Sequence, residues 1–274
     1  MENSQLAIRP LQRTYPTCAA GNPSDRPLQK LDWVIIPGAL FVVIEGLPEM
    51  PAPDAILFDI GDTLLEERRF DLEAGVRAVI GQRPEVVTDL CMAFRVHSRD
   101  NYLVDRELSL PEWIGEHLPH LENVSASTIE DTLWNAIVTL TPLPGVDAVP
   151  RRLRNDNVLL AAVSNAPFSG RILEAELEKH GLRHFFQFVL SSADVGFRKP
   201  HPEIFEAALL RLGVRSERTW FIGDTVNEDI VGAARAGLRP ILFSRGASGP
   251  RCDPPTLQVS NWYEFESAYE KDCR

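Results

Sequence analysis

The stretch ILFDIGDTL, residues 56–64, runs from apolar side chains straight into a carboxylate, Asp59, with Gly61 and a second carboxylate, Asp62, close behind. A strand buried on both faces gains nothing by ending on a charge, unless the charge serves something beyond the sheet. Three more runs share this build: VLLAAVSN (158–165), TWFIGD (219–224) and RPILFS (239–244). Each is apolar throughout rather than alternating, which is the pattern of parallel strands covered on both sides. Amphipathic stretches separate them. SGRILEAELEKHG has Ile172, Leu173 and Leu177 on one side, Ser169 as N-cap and Gly181 as stop. PEIFEAALLRLG repeats the design and ends on Gly213, and DIVGAARAGLRP ends on Gly237 before Pro240. Together these elements predict a doubly wound α/β sheet, Rossmann-like in its layering.

The segment from 66 to 141 lacks such a strand and reads as helices. In STIEDTLWNAIVTL (127–140), Ser127 and Glu130 have capping-box spacing, and Ile129, Leu133, Ile137 and Leu140 form the apolar face. Residues 51–65 and 142–274 are therefore expected to form the α/β core, with an inserted helical cap over 66–141. Residues 1–50 mix Pro, Ser, Asn, Arg and Gly without a persistent period. They read either as a loosely ordered extension whose apolar patch (33–44) docks on the main body, or as upstream sequence contributing little.

The 274 residues suffice for a sizeable core, and a formal net charge of −11 argues against nucleic-acid and anionic-membrane partners. The patch WVIIPGALFVVI (33–44) is interrupted by Pro37 and Gly38 and is shorter than the roughly 20 residues a bilayer span needs. Cys18, Cys91, Cys252 and Cys273 show no metal-ligand spacing, and with no signal peptide evident they read as free thiols of a cytoplasmic protein. No pattern specifies an oligomeric state.

Ligands of an open parallel sheet bind beyond the carboxyl ends of its strands. Asp59, the Ser164–Asn165 pair and Asp224 end predicted strands there, and Lys199 lies on a loop at the same edge. Two acids, a hydroxyl and an ammonium on one edge suit a phosphate and a divalent cation, since Mg²⁺ prefers hard oxygen ligands.

At these residues the chain resembles the haloacid dehalogenase superfamily of hydrolases, in the subgroup with a helical cap inserted after the first motif. FDIGDTL, AAVSNA, GFRKPHPEIF and FIGDTVNEDIVGAARAGL resemble its four motifs in order, over roughly residues 53 to 265. LPGV (143–146) fits the return from cap to core. The resemblance implies that Asp59 is the nucleophile, forming an aspartyl-phosphate. It implies Mg²⁺ held by Asp59, Asp224, the Gly61 carbonyl and Asp229. Ser164, Asn165 and Lys199 would bind the phosphoryl group of a small phosphorylated metabolite, with Ser164 and Lys199 also acting in catalysis. Position 61 departs from the pattern: the family's phosphatases carry there the aspartate that protonates the leaving oxygen. Asp62 falls one residue late, so it is either a relocated acid or a capping residue. A phosphohydrolase favouring activated leaving groups is the expectation. The alternatives are a silent metabolite-binding protein and a metal-independent haloacid dehalogenase.

Other polar and aromatic residues have plainer readings. His201, between two prolines, reads as structural, and Trp113 and Trp134 as core. The plainer alternative for Asp229 and Glu228 is as first-turn acids of a helix, a reading that suits Glu228 better than Asp229. Arg68, Arg69, Arg77, Arg95, Arg99 and Arg106 read as a solvated face from which one or two could reach an anionic substrate.

Overall fold

The computed structural model describes residues 52–272 except 82–83, 119–123 and 246–255, together with strands at 32–36 and 39–43. Those two strands, β1 (Asp32–Ile36) and β2 (Ala39–Val43), belong to a separate N-terminal unit and pair antiparallel, Asp32 opposite Val43 and Ile36 opposite Ala39. No strand was expected here, because no period persists through residues 1–50 and Pro37 and Gly38 interrupt the apolar patch. Its β-branched and aromatic content, split by a Pro-Gly pair, is nevertheless hairpin chemistry. The rest of residues 1–50, and with it the expected docking of that patch, lies outside the described residues.

The main unit opens with β3 (Ala55–Phe58) and β4 (Leu65–Phe70). Four helices follow, α1 (Leu72–Ile80), α2 (Pro84–Tyr102), α3 (Leu110–His117) and α4 (Ala126–Ile137), and β5 (Val138–Pro142) returns the chain. Then come α5 (Ala148–Asn155), β6 (Leu159–Ser164), α6 (Gly170–Lys179), β7 (Val189–Ser191), α7 (Ser192–Val195) and α8 (Pro202–Leu212). The last elements are β8 (Thr219–Gly223), α9 (Gly232–Arg235), β9 (Arg239–Phe243), β10 (Leu257–Val259) and α10 (Trp262–Asp272). Six strands form one parallel sheet in the order β10-β9-β8-β3-β6-β7.

Both sheet faces are covered, which is why the strands are apolar at every position. Ile56 and Phe58 pack to one side with Leu173, Val149 and Trp262, while Leu57, Ala161 and Phe221 pack to the other with Phe205 and Ala208. Helix α8 stops at Gly213, whose φ of 70° is a left-handed conformation that costs a glycine little.

The insert, expected to be helical throughout, also contains two strands. β4 and β5 pair antiparallel, with Leu65 opposite Pro142 and Phe70 opposite Val138, so two strands carry the chain into and out of the four helices. LEERRF is mostly exposed and charged, and its strand character comes from the ladder rather than from burial.

The capping box of α4 also differs. Ser125, not Ser127, is the N-cap, accepting from the Thr128 N–H at 3.1 Å. Glu130 turns away to accept from the Ser169 N–H at 2.6 Å and hydroxyl at 2.8 Å, and pairs with Arg171 at 2.9 Å. Ser169 holds its predicted N-cap place, but its hydroxyl serves this bridge to the insert instead of α6. Trp134 and Trp113 are buried, as expected of core residues, and Trp134 Nε1 donates to Glu176 at 2.9 Å. His201 is a structural residue, capping α8 through Nδ1. Cys91 is buried and unpaired, while the other three cysteines lie outside the described residues. Among the described residues no helix is long and apolar enough to cross a membrane.

Candidate active site

The end of β3 stays in the ladder for one residue more than its strand. The Asp59 N–H donates to the Ile222 carbonyl at 2.8 Å, so the carboxylate is fixed to the sheet and not to a loose loop. Asp59 is buried at 6% exposure, and its Oδ1 accepts from Lys199 Nζ at 2.6 Å. Nζ also donates to the Val163 carbonyl at 3.2 Å and lies 2.7 Å from Asp229 Oδ1. One buried ammonium thus ties the ends of β3 and β6 to the loop after β8.

That loop has an unusual shape for a reason visible at Gly223. A Cβ there would lie 2.3 Å from the Asp229 carboxyl carbon, so β8 must end on glycine for Asp229 to fold back over it. Residues Val226–Val231 make a wide π-helical turn in place of the expected α-helix, and α9 begins only at Gly232. The side chain of Asp229 stabilises the turn, its Oδ2 accepting from the Thr225 N–H at 2.9 Å. Single π turns recur at functional sites because they re-aim side chains.

Oxygens of Asp59, Asp224 and Asp229 all fall within 4.8 Å of one another. Burial raises the Asp59 carboxyl to about 8; Lys199 opposes this, while Asp229 and Asp224 push it further up. Burial and the neighbouring Asp229 raise Asp224 to about 6. Burial alone would depress Lys199, but Asp229 and Asp59 outweigh it and hold the ammonium above its ordinary range. Burial is the first cause of both raised carboxyls, and the crowding of three acids on this edge adds to it. A further cation would relieve that crowding. The donor set fits Mg²⁺: three hard carboxylates with oxygens close together, two of them sharing the single Lys199 ammonium.

Asp62 does not join the cluster. It sits at φ 51°, and its side chain, 40% exposed, pairs with Arg245, which also holds Glu66 at 2.9 Å. A carboxylate so engaged is a turn residue, which weighs against the relocated acid. Gly61 lies beside it with nothing within 4 Å of where a Cβ would project. Ser164 is buried at the tip of β6, on the same edge. Asn165 is used differently from the direct phosphoryl contact expected of it. Its Oδ1 accepts from the Lys199 N–H at 2.8 Å and its Nδ2 donates to the Lys199 carbonyl at 3.0 Å, clasping the lysine backbone.

Several residues here went unnoticed or underweighted in the sequence. Glu228 accepts from Asn165 Nδ2 at 2.8 Å and from the Tyr102 hydroxyl at 3.1 Å. Arg198 lies 3.6 Å from both Glu228 and Glu107. Only the position of Arg198 beside Lys199 could have drawn attention to it. A cavity of about 480 Å³ opens where the insert meets the core, lined by Phe70, Phe94, Arg95, Arg99, Tyr102 and Arg198 among others. Of the six arginines noted in the insert, Arg95 and Arg99 are the two that reach it.

The family model of the haloacid dehalogenase-like hydrolases matches residues 53–237. A glyceraldehyde 3-phosphate phosphatase of Methanothermobacter thermautotrophicus is 31% identical over 69% of this chain and 85% of its own length. Another of that name, from Methanopyrus kandleri, is 31% identical over 70% of the chain and 84% of its own. The solved 2-haloacid dehalogenase of Pseudomonas syringae pv. Tomato DC3000 superposes with a TM-score of 0.61 at 20% identity, covering 81% of this chain and 99% of that one, a likeness of fold.

Proposed function

The chain belongs to the haloacid dehalogenase-like hydrolases, and from that premise we propose that it is a Mg²⁺-dependent phosphohydrolase of a small phosphorylated metabolite. The observation that carries this reading is the buried Asp59, held by Lys199 and gathered with Asp224 and Asp229. The two phosphatase-named relatives support it.

A carboxylate oxygen of Asp59 attacks phosphorus, forming the Asp59–phosphoryl bond as the ester P–O bond breaks. The leaving oxygen departs with its electron pair. Water then attacks phosphorus, releases inorganic phosphate and restores the carboxylate. Lys199 holds Asp59 in place and balances charge among the acids. Ser164 hydrogen-bonds the transferring phosphoryl group, and the helical insert acts as a cap that keeps bulk water out. Asp59, Asp224, Asp229 and the Gly61 carbonyl would hold Mg²⁺, which supplies charge stabilisation to the phosphoryl oxygens. Arg95 and Arg99 draw the anionic substrate into the cavity against the −11 net charge of the chain.

With Gly61 and an Arg245-paired Asp62 in place of an acid, the leaving oxygen must depart without a positioned proton. The enzyme therefore favours aryl or acyl phosphates over alkyl phosphates, by roughly the 10²–10⁴-fold that a general acid contributes. Turnover of an aryl and an alkyl phosphate, each with Mg²⁺ and with EDTA, tests this. Equal rates for the two esters, or rates indifferent to EDTA, contradict it.

Gly61 also motivates a second reading, a silent binder of phosphorylated metabolites. Mg²⁺ and beryllium fluoride binding without turnover of any ester favours it. Metal-independent chloride release from a haloacid supports a dehalogenase instead, a reading against which the three-carboxylate cluster weighs.

A further inference from the structure

We infer that Glu228 is a positioning residue that senses whether the helical insert is seated and passes this to Lys199 through Asn165. The inference deepens the phosphohydrolase reading and rests on it for its turnover measurements.

The insert meets the core along a short clasp. The Arg198 N–H donates to the Asp105 carbonyl at 3.0 Å, the Glu107 N–H to the Gly196 carbonyl at 3.2 Å, and the Leu110 N–H to the Pro167 carbonyl at 2.9 Å. The Arg106 guanidinium lies 3.8 Å from the Phe197 ring centre. Apart from Pro167, the residues clasped on the core side are 196–198, which lead directly into Lys199.

A second connection runs beside the first, through side chains. Tyr102, the last residue of α2, donates from its hydroxyl to Glu228 Oε1, and the Arg198 guanidinium lies over the Tyr102 ring at 4.5 Å. Glu228 Oε2 accepts from Asn165 Nδ2, and the same amide takes both backbone groups of Lys199. Insert, Glu228, Asn165, Lys199 and Asp59 thus form an unbroken series of hydrogen bonds ending on Asp59.

Each link constrains the next. Asn165 can meet the Lys199 N–H and carbonyl together only with its amide plane in one orientation, and Glu228 fixes that orientation by taking a remaining Nδ2 hydrogen. Glu228 is itself divided between Asn165 and the insert. Arg198 is likewise shared between Glu107 on the insert and Glu228 on the core. When the insert lifts, Glu228 loses Tyr102, while Arg198 loses Glu107 and is left to Glu228 alone. The carboxylate is then drawn toward Arg198 and away from Asn165. Asp59 is aligned when the insert is down, the state in which water is excluded.

The test compares Tyr102→Phe, Glu228→Gln and the double variant in the full chain with Mg²⁺ and 4-nitrophenyl phosphate. Each single change lowers kcat by at least roughly fivefold with KM within about twofold, and the double variant is no slower than the worse single. Amide exchange in residues 196–199, measured without substrate, quickens in both single variants. Multiplying losses, unchanged kcat and exchange, or an effect on KM alone overturn the inference; the last would make Tyr102 a substrate contact. If the unaltered protein hydrolyses no phosphate ester, the phosphohydrolase reading fails, and the exchange measurement decides the inference by itself.

Discussion

Gly61→Asp is expected to raise hydrolysis of alkyl phosphates by roughly 10²-fold while changing aryl phosphate turnover far less, because only the poorer leaving group depends on a positioned acid. The position is ready for the change. A Cβ at residue 61 meets no atom within 4 Å, and the backbone there is not in the left-handed region that only glycine favours. Asp62 does not compete for the role, being paired with Arg245. Initial rates on one aryl and one alkyl ester, for the unaltered chain and the variant, check this. An unimproved alkyl rate would show that the missing proton is supplied from elsewhere and that Gly61 does not limit the chemistry.

Lys199→Met has the largest expected effect on stability. Lys199 is 1% exposed and stands between Asp59 and Asp229, also buried, so its loss leaves two carboxylates without their counter-charge. Removing one partner of a buried ion pair typically costs about 3–5 kcal/mol, far more than loss of an exposed pair. Urea denaturation in EDTA should register a loss of that order. Added Mg²⁺ should recover part of it, since the ion meets the same excess of negative charge. A loss under about 1 kcal/mol would mean that the acids do not depend on this lysine.

How far these features could be read from the chain follows from what makes each of them. β3, β6, β8 and β9 were legible because both sheet faces are buried, which forces Ile56, Leu57 and Phe58 all to be apolar. β7 and β10, at three residues each, are too short to carry such a signal. β4 and β5 were hidden because a ladder, not burial, makes them strands, and a ladder partner some 70 residues away leaves no local pattern. Asp59, Ser164, Lys199 and Asp224 were legible because each sits at a predictable strand end or motif position. The clasp of Asn165 on Lys199 was not, since the two are 34 residues apart and nothing local to Asn165 distinguishes a backbone clasp from a turn. Arg245 drawing Asp62 aside, and Tyr102 reaching Glu228 across 126 residues, are likewise products of the tertiary fold.

Attack by Asp59 on phosphorus is most directly tested by rapid acid quench during turnover of an aryl phosphate with Mg²⁺, followed by mass mapping of the peptide containing Asp59. One phosphoryl group on that peptide, labile to hydroxylamine and missing from Asp59→Asn along with turnover, is the predicted result. Undiminished hydrolysis by Asp59→Asn, with no phosphorylated peptide from either protein, would contradict it.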